Sequence, residues 1–283
     1  MKKIESSSEL RKIELAILGD FASFCEQHNL RYFLSGGTLI GAIRHKGFIP
    51  WDDDIDVIMP RPDFMYFVNN YNNRDSFYKV NSVFNIGHWY STFAEVEDTR
   101  TLKIYNGFDI KQKVGISIDI FPLDGAPDNY LVRRCFWLLL NVTARISTLS
   151  AQKFTISHHF DDQSAKFKKI RIGLRTLCKF ATIPIAKLFS PINLNLLVNK
   201  LAMNFDVDNS KFVGVSVFPH YGYKECIHKN NFLVSKKRLF EGKFYNTPMY
   251  YDEYLSHLYG DYMKMPPKTV QKSHHDFEAF KLN

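Results

Sequence analysis

The chain has 283 residues, 45% of them hydrophobic and 23% charged, a balance that supports one large core or two small domains and excludes a disordered polypeptide. Its 37 Lys and Arg against 29 Asp and Glu give a formal charge of +8, which points to an anionic substrate, partner or surface without choosing among them. Cys25, Cys135, Cys178 and Cys226 stand singly, with no CxxC pair, so neither a disulfide framework nor a cysteine zinc site is expected and a reducing cytoplasm fits best.

Lys2 and Lys3 have no apolar run behind them long enough for an export leader. Leu10, Ile13, Ile17, Phe21, Phe24 and Cys25 recur at steps of three and four and predict a helix over roughly 8–28, opened by a capping box from Ser6 to Glu9. The run Tyr32-Phe33-Leu34 then meets Ser35-Gly36-Gly37-Thr38, and Leu39, Ile40, Ala42 and Ile43 begin a second helix: strand, tight turn, helix. A second strand is expected over 55–59, stopped by Pro60, with a helix from Pro62 through Tyr71. Further strands are expected at 92–97, 101–105 and 116–121. This order predicts an α+β, α/β-like architecture, a small mixed sheet with flanking helices.

Charge is unevenly spread along the chain. Residues 130–202 hold twelve basic and two acidic residues, so the remainder is slightly acidic. We therefore expect a catalytic core over 1–129, a basic helical insertion over 130–215 suited to a membrane or acceptor, and a segment over 216–283 that completes the core. The longest apolar stretch, 135–140, is far below the roughly 18 residues that span a bilayer.

The segment from Phe33 to Pro60 carries the chemistry. A Ser-Gly-Gly turn opening a helix lets backbone approach an anion and aims free N–H groups at it, as phosphate sites require, although such a turn by itself is as readily structural. Asp54-Ile55-Asp56 entering an apolar strand places both carboxylates on one face of the pleat. Two hard oxygen ligands on one face suit Mg²⁺ or Mn²⁺ held together with substrate phosphates. The plain alternative is a solvated acidic loop at Asp52, Asp53, Asp54 and Asp56. Against it, four carboxylates in five residues repel one another without a cation, and the cluster abuts an apolar strand. Asp119 lies between Ile118 and Ile120, where an acid is costly unless paired or metal-bound. Its alternation with Ser117 and Phe121 allows it to join Asp54 and Asp56 from a neighbouring strand. Arg44 and Lys46 are the nearest cations, candidates either for clamping phosphate or for exposed helix-end charges.

A Gly-Gly turn followed by two strand aspartates one residue apart, and by a lone aspartate on a later strand, resembles the nucleotidyltransferase fold. More closely, Leu34-Ser-Gly-Gly-Thr-Leu-Ile-Gly-Ala-Ile-Arg-His45, Ile49-Pro-Trp-Asp-Asp-Asp-Ile-Asp-Val57 and Ile118-Asp-Ile-Phe-Pro-Leu-Asp-Gly125 resemble the LicD family, whose relatives include fukutin-type phosphotransferases. Tyr259-Gly-Asp-Tyr-Met-Lys-Met-Pro-Pro267 is similar to the closing motif of its bacterial members. The match brackets about 30 to 267, with no recognised motif in 130–215.

This resemblance implies a divalent-metal enzyme that moves a phospho-alcohol group from a CDP-activated donor, most typically phosphocholine from CDP-choline with release of CMP. The acceptor it implies is a lipid-linked or nascent cell-surface glycan of the teichoic acid, capsule or lipopolysaccharide type. It further implies Asp54 and Asp56 as catalytic metal ligands, with Asp119 as a third ligand or as the group taking the hydroxyl proton and Asp52 in support. Ser35, Gly36, Gly37 and Thr38 would lie against the diphosphate. The cofactor expected is Mg²⁺ or Mn²⁺. Zinc is not expected, because the cysteine site of some eukaryotic relatives is missing. CDP-glycerol and CDP-ribitol are alternative donors. A nucleotidyltransferase that transfers NMP and releases pyrophosphate is the alternative reaction. The sequence departs from the general nucleotidyltransferase pattern in the long gap between Gly37 and Asp54, filled by Arg44 through Trp51, which leaves the position of the basic residues open.

Other features carry two readings each. Phe167, Ile170, Leu174, Leu177 and Ala181 form one face of a helix whose other face holds Lys168, Arg171, Arg175 and Lys179, suited to an anionic membrane interface or to packing on the body. The Arg133–Arg145 stretch, with Phe136, Trp137 and three leucines, is a second candidate. An enzyme of this kind would work in the cytoplasm, at the inner face of the membrane. Trp51 and Trp89 lie near the proposed site, and the 25 Phe and 15 Tyr permit an aromatic cage for choline without locating one. Glu95, Glu97 and Asp98 read as a further acid or as a surface edge. His158-His159 and His274-His275 lack a third ligand, and Tyr259-Gly-Asp-Tyr262 reads as a helix end capped by Gly260. A basic membrane- or nucleic-acid-binding protein with inert aspartates is the competing class; the lack of aromatic–basic motifs argues against nucleic acid.

Overall fold

The computed structural model describes residues 1–87, 89–105, 114–151, 182–218, 220–271 and 277–282. Strand β1 (Lys2–Ile4) leads into α1 (Ser7–Gln27). Ser6 caps that helix by accepting from the Ser8 N–H at 3.2 Å. The second half of the expected capping box does not form, because the Glu9 carboxylate pairs with Lys281 at 2.7 Å instead. Strand β2 (Phe33–Leu34) runs into α2 (Gly36–Ile40), which widens into a π-helical turn over Gly41–His45 and stops at Lys46, whose φ of 60° is left-handed. Strand β3 (Asp56–Pro60) passes directly to α3 (Arg61–Asn70), where Pro62 occupies the first turn and removes an N–H that has no helical partner there.

Three strands follow: β4 (Tyr78–Asn81), β5 (Ala94–Tyr105) and β6 (Val114–Ala126). The two strands expected at 92–97 and 101–105 are one, interrupted by a register shift between Asp98 and Lys103. A bulge of this kind breaks the two-residue period and so imitates a strand end in the sequence. Helix α4 (Tyr130–Ala151), a helical turn at 182–186 and α5 (Pro191–Ala202) come next. They are followed by β7 (Phe212–Gly214), β8 (Ile227–His228), α6 (Lys229–Phe232), the hairpin β9 (Ser235–Phe240) and β10 (Lys243–Pro248), α7 (Tyr251–Tyr259) and β11 (Phe277–Lys281).

Among the described residues nine strands make one mixed sheet in the order β1-β11-β5-β6-β3-β2, with β4 also on β5 and β7 carrying β8 off β6. Within the main path β3 and β6 are parallel and the other pairs antiparallel. The α+β architecture with flanking helices is as expected. Alternation along the strands divides the core in two. Val57, Met59, Ala94, Val96, Ile118 and Ile120 face Ile17, Phe21 and Phe24 of α1 and Phe64 and Phe67 of α3. Ile58, Phe121 and Leu123 point the other way, against Leu39, Val213, Phe232 and the α7 residues Tyr254, Leu255 and Leu258. Asp56 and Asp119 belong to this second face, at the end of the strands where α2 and α7 approach.

Helix α4 packs Leu140 and Ala144 against Val198 and Ala202 of α5. An ion pair fixes this helical unit to the sheet: Arg61 donates to both Asp124 oxygens at 2.7 and 2.6 Å and to the Asn199 Oδ1 at 2.9 Å. The amphipathic stretch 167–181 and the pairs His158-His159 and His274-His275 lie outside the described residues.

Candidate functional site

Strand register assembles the floor of the site. Asp56 on β3 stands opposite Asp119 on β6, and Asp119 stands opposite Glu95 on β5. Directly opposed residues point to the same face, so three acids form one row across three strands. Glu95 is buried and accepts from the Ser117 hydroxyl at 2.7 Å, while the Lys103 ammonium donates to the same hydroxyl at 2.8 Å. The surface-edge reading of Glu95, Glu97 and Asp98 is therefore corrected: β5 is an interior strand, and Glu95 and Asp98 are buried.

The Gly-Gly turn fits against these acids. Gly36 has a left-handed φ of 52°, and a Cβ on it would stand 2.6 Å from the Asp56 Oδ2. A Cβ on Gly37 would collide with the Asp52 carboxylate. The two glycines are thus required by the approach of two carboxylates. The expected arrangement, a helix N-terminus aimed at phosphate, is modified accordingly: α2 has five residues, and protein carboxylates occupy the space its glycines leave. Backbone bonds hold the turn to β3, with the Ser35 N–H donating to the Asp56 carbonyl at 3.0 Å and the Asp56 N–H donating to the Thr38 Oγ1 at 2.9 Å.

Asp54 is not on the strand. β3 begins at Asp56, so the expected pairing of Asp54 and Asp56 by strand alternation gives way to a loop that carries Asp52, Asp53 and Asp54 to the strand end. That loop is held from two sides. The Arg11 guanidinium on α1 donates to the carbonyls of Ile49, Pro50 and Asp52 at 3.2, 2.8 and 2.6 Å. From the other side the β9–β10 turn at Glu241 and Gly242 reaches the Phe48 N–H with its carboxylate at 3.1 Å, and the Glu241 N–H donates to the Lys46 carbonyl at 2.9 Å.

Around this floor opens a cleft of about 670 Å³ lined by Ser35, Gly36, Gly37, Arg44, Asp52, Asp54, Asp56 and Asp119, with a far wall from the C-terminal part. Tyr254 places its hydroxyl 3.0 Å from the Ser35 Oγ and also bonds Glu225, whose own carboxyl lines the cleft. Tyr221 and Tyr259 meet edge to face at 5.2 Å beside them. Arg44 donates to the Tyr262 carbonyl at 2.6 Å and so ties the closing segment over the cleft, where Lys264 adds a second cation that sequence reasoning missed. Tyr259-Gly-Asp-Tyr262 ends α7 at Gly260, φ 71°, as expected, and it also contributes Tyr259, Asp261 and Tyr262 to the lining.

Three expectations are corrected. Thr38 is buried, accepts the Asp56 N–H on its Oγ1 and does not line the cleft. Lys46 is exposed, donates to the Ile43 carbonyl at 3.3 Å and does not line the cleft. Trp89 is buried in a separate cluster with Val83 and Val114, whereas Trp51 does line the cleft. Glu225 is the functional candidate that the sequence did not show: it follows Lys224 in a polar stretch, and only its burial sets it apart.

The electrostatics suit a cation. The packed surroundings of Asp56, together with the charges of Asp54, Asp119 and Asp52, push its carboxyl well above the usual range. Burial pushes Glu225 up to about 8. Among the described residues no group of three or more His, Cys, Asp or Glu side chains stands close enough to hold a metal ion, so Asp54, Asp56 and Asp119 do not form a closed cage. An opposed pair, Asp56 and Asp119, with Asp54 and Asp52 nearby, matches instead the way Mg²⁺ is held by one or two carboxylates plus substrate phosphates.

A family model described as the nucleotidyltransferase domain of LicD, FKTN and FKRP matches residues 29–138. The lipopolysaccharide cholinephosphotransferase LicD of Haemophilus influenzae (strain ATCC 51907 / DSM 11121 / KW20 / Rd) is 33% identical over 287 residues, covering 100% of both chains. Two uncharacterized rickettsial proteins match shorter stretches. That of Rickettsia typhi (strain ATCC VR-144 / Wilmington) is 36% identical over 61 residues, 21% of this chain and 20% of its own. That of Rickettsia prowazekii (strain Madrid E) is 35% identical over 57 residues, 20% of this chain and 21% of its own.

Proposed function

The chain belongs to the LicD family, and from that premise we propose that it transfers phosphocholine from CDP-choline to a hydroxyl of a lipopolysaccharide-type glycan and releases CMP. The observation that carries the reaction class is the opposed pair Asp56 and Asp119 in one cleft with the Gly36-Gly37 turn. The full-length likeness to a lipopolysaccharide cholinephosphotransferase supports the transferred group.

In this reading Asp56 and Asp119 would hold Mg²⁺ or Mn²⁺, with Asp54 and Asp52 lining the same cleft. A bound divalent ion supplies charge neutralisation on the diphosphate oxygens. Ser35 and the Gly36-Gly37 backbone orient the donor at the carboxylate floor, and Arg44 and Lys264 draw the closing segment over it. The acceptor hydroxyl forms a bond to the β-phosphorus, the bond from that phosphorus to the CMP oxygen breaks, and CMP leaves with the electron pair. The hydroxyl proton would pass to a cleft carboxylate, Asp119 or its neighbour Asp54.

The acceptor side of the proposal is an anionic membrane surface. Helix α4 buries Trp137, Leu140, Ala144 and Ser147, and turns an opposite stripe outward: Leu131, Cys135, Leu138 and Val142 at steps of four, three and four. Leu131 and Leu138 are 70% and 65% exposed. Ile185, Leu188 and Phe189 are also exposed, as are Arg134, Arg145, Lys187 and Lys200, and residues 130–151 and 182–204 contain no Asp or Glu. Apolar side chains framed by cations alone suit the interface of an anionic bilayer. Among the described residues no helix is long and apolar enough to cross a membrane.

The test is CMP release from CDP-choline, CDP-glycerol and CDP-ribitol with Mg²⁺ or Mn²⁺ and a lipid-linked glycan acceptor, wild type against Asp56→Ala. Metal-dependent CMP from CDP-choline, lost in the variant, supports the reading. CMP from another donor changes the alcohol, and pyrophosphate from a nucleoside triphosphate in place of CMP overturns the reaction.

A further inference from the structure

Glu225 has no place in the steps above, yet it is the most conspicuous group on the far wall. It is 6% exposed, its Oε2 has no hydrogen-bond partner among the described residues, and it lines the cleft. Its other carboxyl oxygen accepts from the Tyr254 hydroxyl. A buried carboxyl oxygen left without a partner is costly, and where a fold retains one inside a cleft it marks the place of a missing ligand group.

The surroundings select what that group is. Tyr254 bridges Glu225 to Ser35, the first residue of the Gly-Gly turn, so Glu225 lies one phenol away from the end of the cleft assigned to the diphosphate. Tyr221 and Tyr259 flank it as an edge-to-face pair, and the Tyr259 hydroxyl reaches within 3.6 Å of the space beside Gly36. The rings therefore extend from the glycine turn to the carboxyl. A buried carboxyl walled by aromatic rings, ionised when a cation takes the place of its proton, offers charge and π faces. That combination matches a cation without N–H groups.

We propose that Glu225, with the rings of Tyr221, Tyr254 and Tyr259, forms the subsite for a quaternary ammonium at the end of the donor's two-carbon alcohol. The inference rests on the CDP-choline reading and deepens it by assigning the residues that select the alcohol. A primary ammonium, more strongly hydrated, loses more on entering a site walled by rings, and a neutral polyol brings no charge to replace the carboxyl proton. Both are expected to be disfavoured there.

The experiment compares binding of CDP-choline with binding of CDP, which lacks the choline, together with steady-state CMP release. Wild type, Glu225→Gln and Tyr221→Leu are compared, each checked for native circular dichroism; Tyr221→Leu is the second route if Glu225→Gln does not fold. The expected result is that wild type binds CDP-choline about tenfold or more tightly than CDP, that either substitution removes most of this difference, and that affinity for CDP stays within about twofold. Tetramethylammonium is expected to compete with CDP-choline in wild type and much less in Glu225→Gln. Equal loss of CDP and CDP-choline binding, or an unchanged preference, would overturn the subsite while leaving phosphocholine transfer standing. Turnover of another CDP-alcohol with none of CDP-choline would overturn the donor reading and the subsite with it.

Discussion

Gly36 shows how closely the site is built at the scale of single residues. Its left-handed φ and the Asp56 oxygen beside it leave no room for a side chain, so Gly36→Ala combines a backbone cost of about 1–2 kcal/mol with displacement of the Asp56 carboxylate. We expect CMP release to fall at least about a hundredfold with the protein still folded, which kinetics and circular dichroism on one preparation will check. Glu225 yields a second expectation. Its folded-state value of about 8 lies above the ordinary glutamate value of 4.5, so the native state holds its proton where the unfolded chain has lost it. Stability from this group is complete below pH 4.5 and is lost as the pH rises through 8. Glu225→Gln should therefore melt with wild type near pH 4 and several degrees above it at pH 9 in melts without ligand. The aspartates were legible in the sequence because four in five residues before an apolar strand is a local signal. Thr38 misled because a hydroxyl after Gly-Gly resembles a phosphate contact, and the side of the helix it occupies is decided by β3. Glu225 was hidden because its character comes from burial under α7, a contact between distant segments.

At the scale of elements, the long gap between Gly37 and Asp54 has a structural purpose. It is a loop pinned by Arg11 from one side and by the β9–β10 turn from the other, and the carboxylates at its end inherit that rigidity. Arg11→Ala removes four hydrogen bonds to three carbonyls. It should lower kcat about tenfold or more through misplacement of Asp52 and Asp54, while Arg11→Lys restores only part, since a single ammonium cannot span them. The buried pair of Arg61 and Asp124 plays the corresponding part between sheet and helices. Asp124→Ala leaves an uncompensated guanidinium and should destabilise by about 3–5 kcal/mol in urea titration. The outward stripe of α4 yields a binding prediction: co-sedimentation with phosphatidylglycerol vesicles, weakened by salt, absent with phosphatidylcholine alone and lost in Leu138→Glu/Val142→Glu. Helices and interior strands were legible because their apolar period is local. Strands β1 and β11 were not, because the three residues Lys2–Ile4 and the five of Phe277–Lys281 are too short for a period and become strands only by pairing with each other and with β5.

For the molecule as a whole, donor and metal should act as a clamp between its two sides, since β3 and β6 supply the floor and α7 with its flanking residues supplies the wall. A ligand that binds only the folded state at a hundred times its Kd adds about 2.7 kcal/mol. Mg²⁺ with CDP-choline should raise the Tm accordingly in differential scanning calorimetry, Mg²⁺ alone should raise it less, and Asp56→Asn should abolish the rise.

The lining runs from Ser35 to Pro267, so nearly the whole length of polypeptide separates its first contribution from its last. At ordinary ribosomal speeds of about 5–20 residues per second, the second wall follows the first by on the order of ten to fifty seconds. A nascent or truncated copy carries an acidic floor with nothing above it. A chain that stops short of Pro267 is expected to lack part of the lining and so to turn over no donor, which a truncation ending before Tyr251 will check.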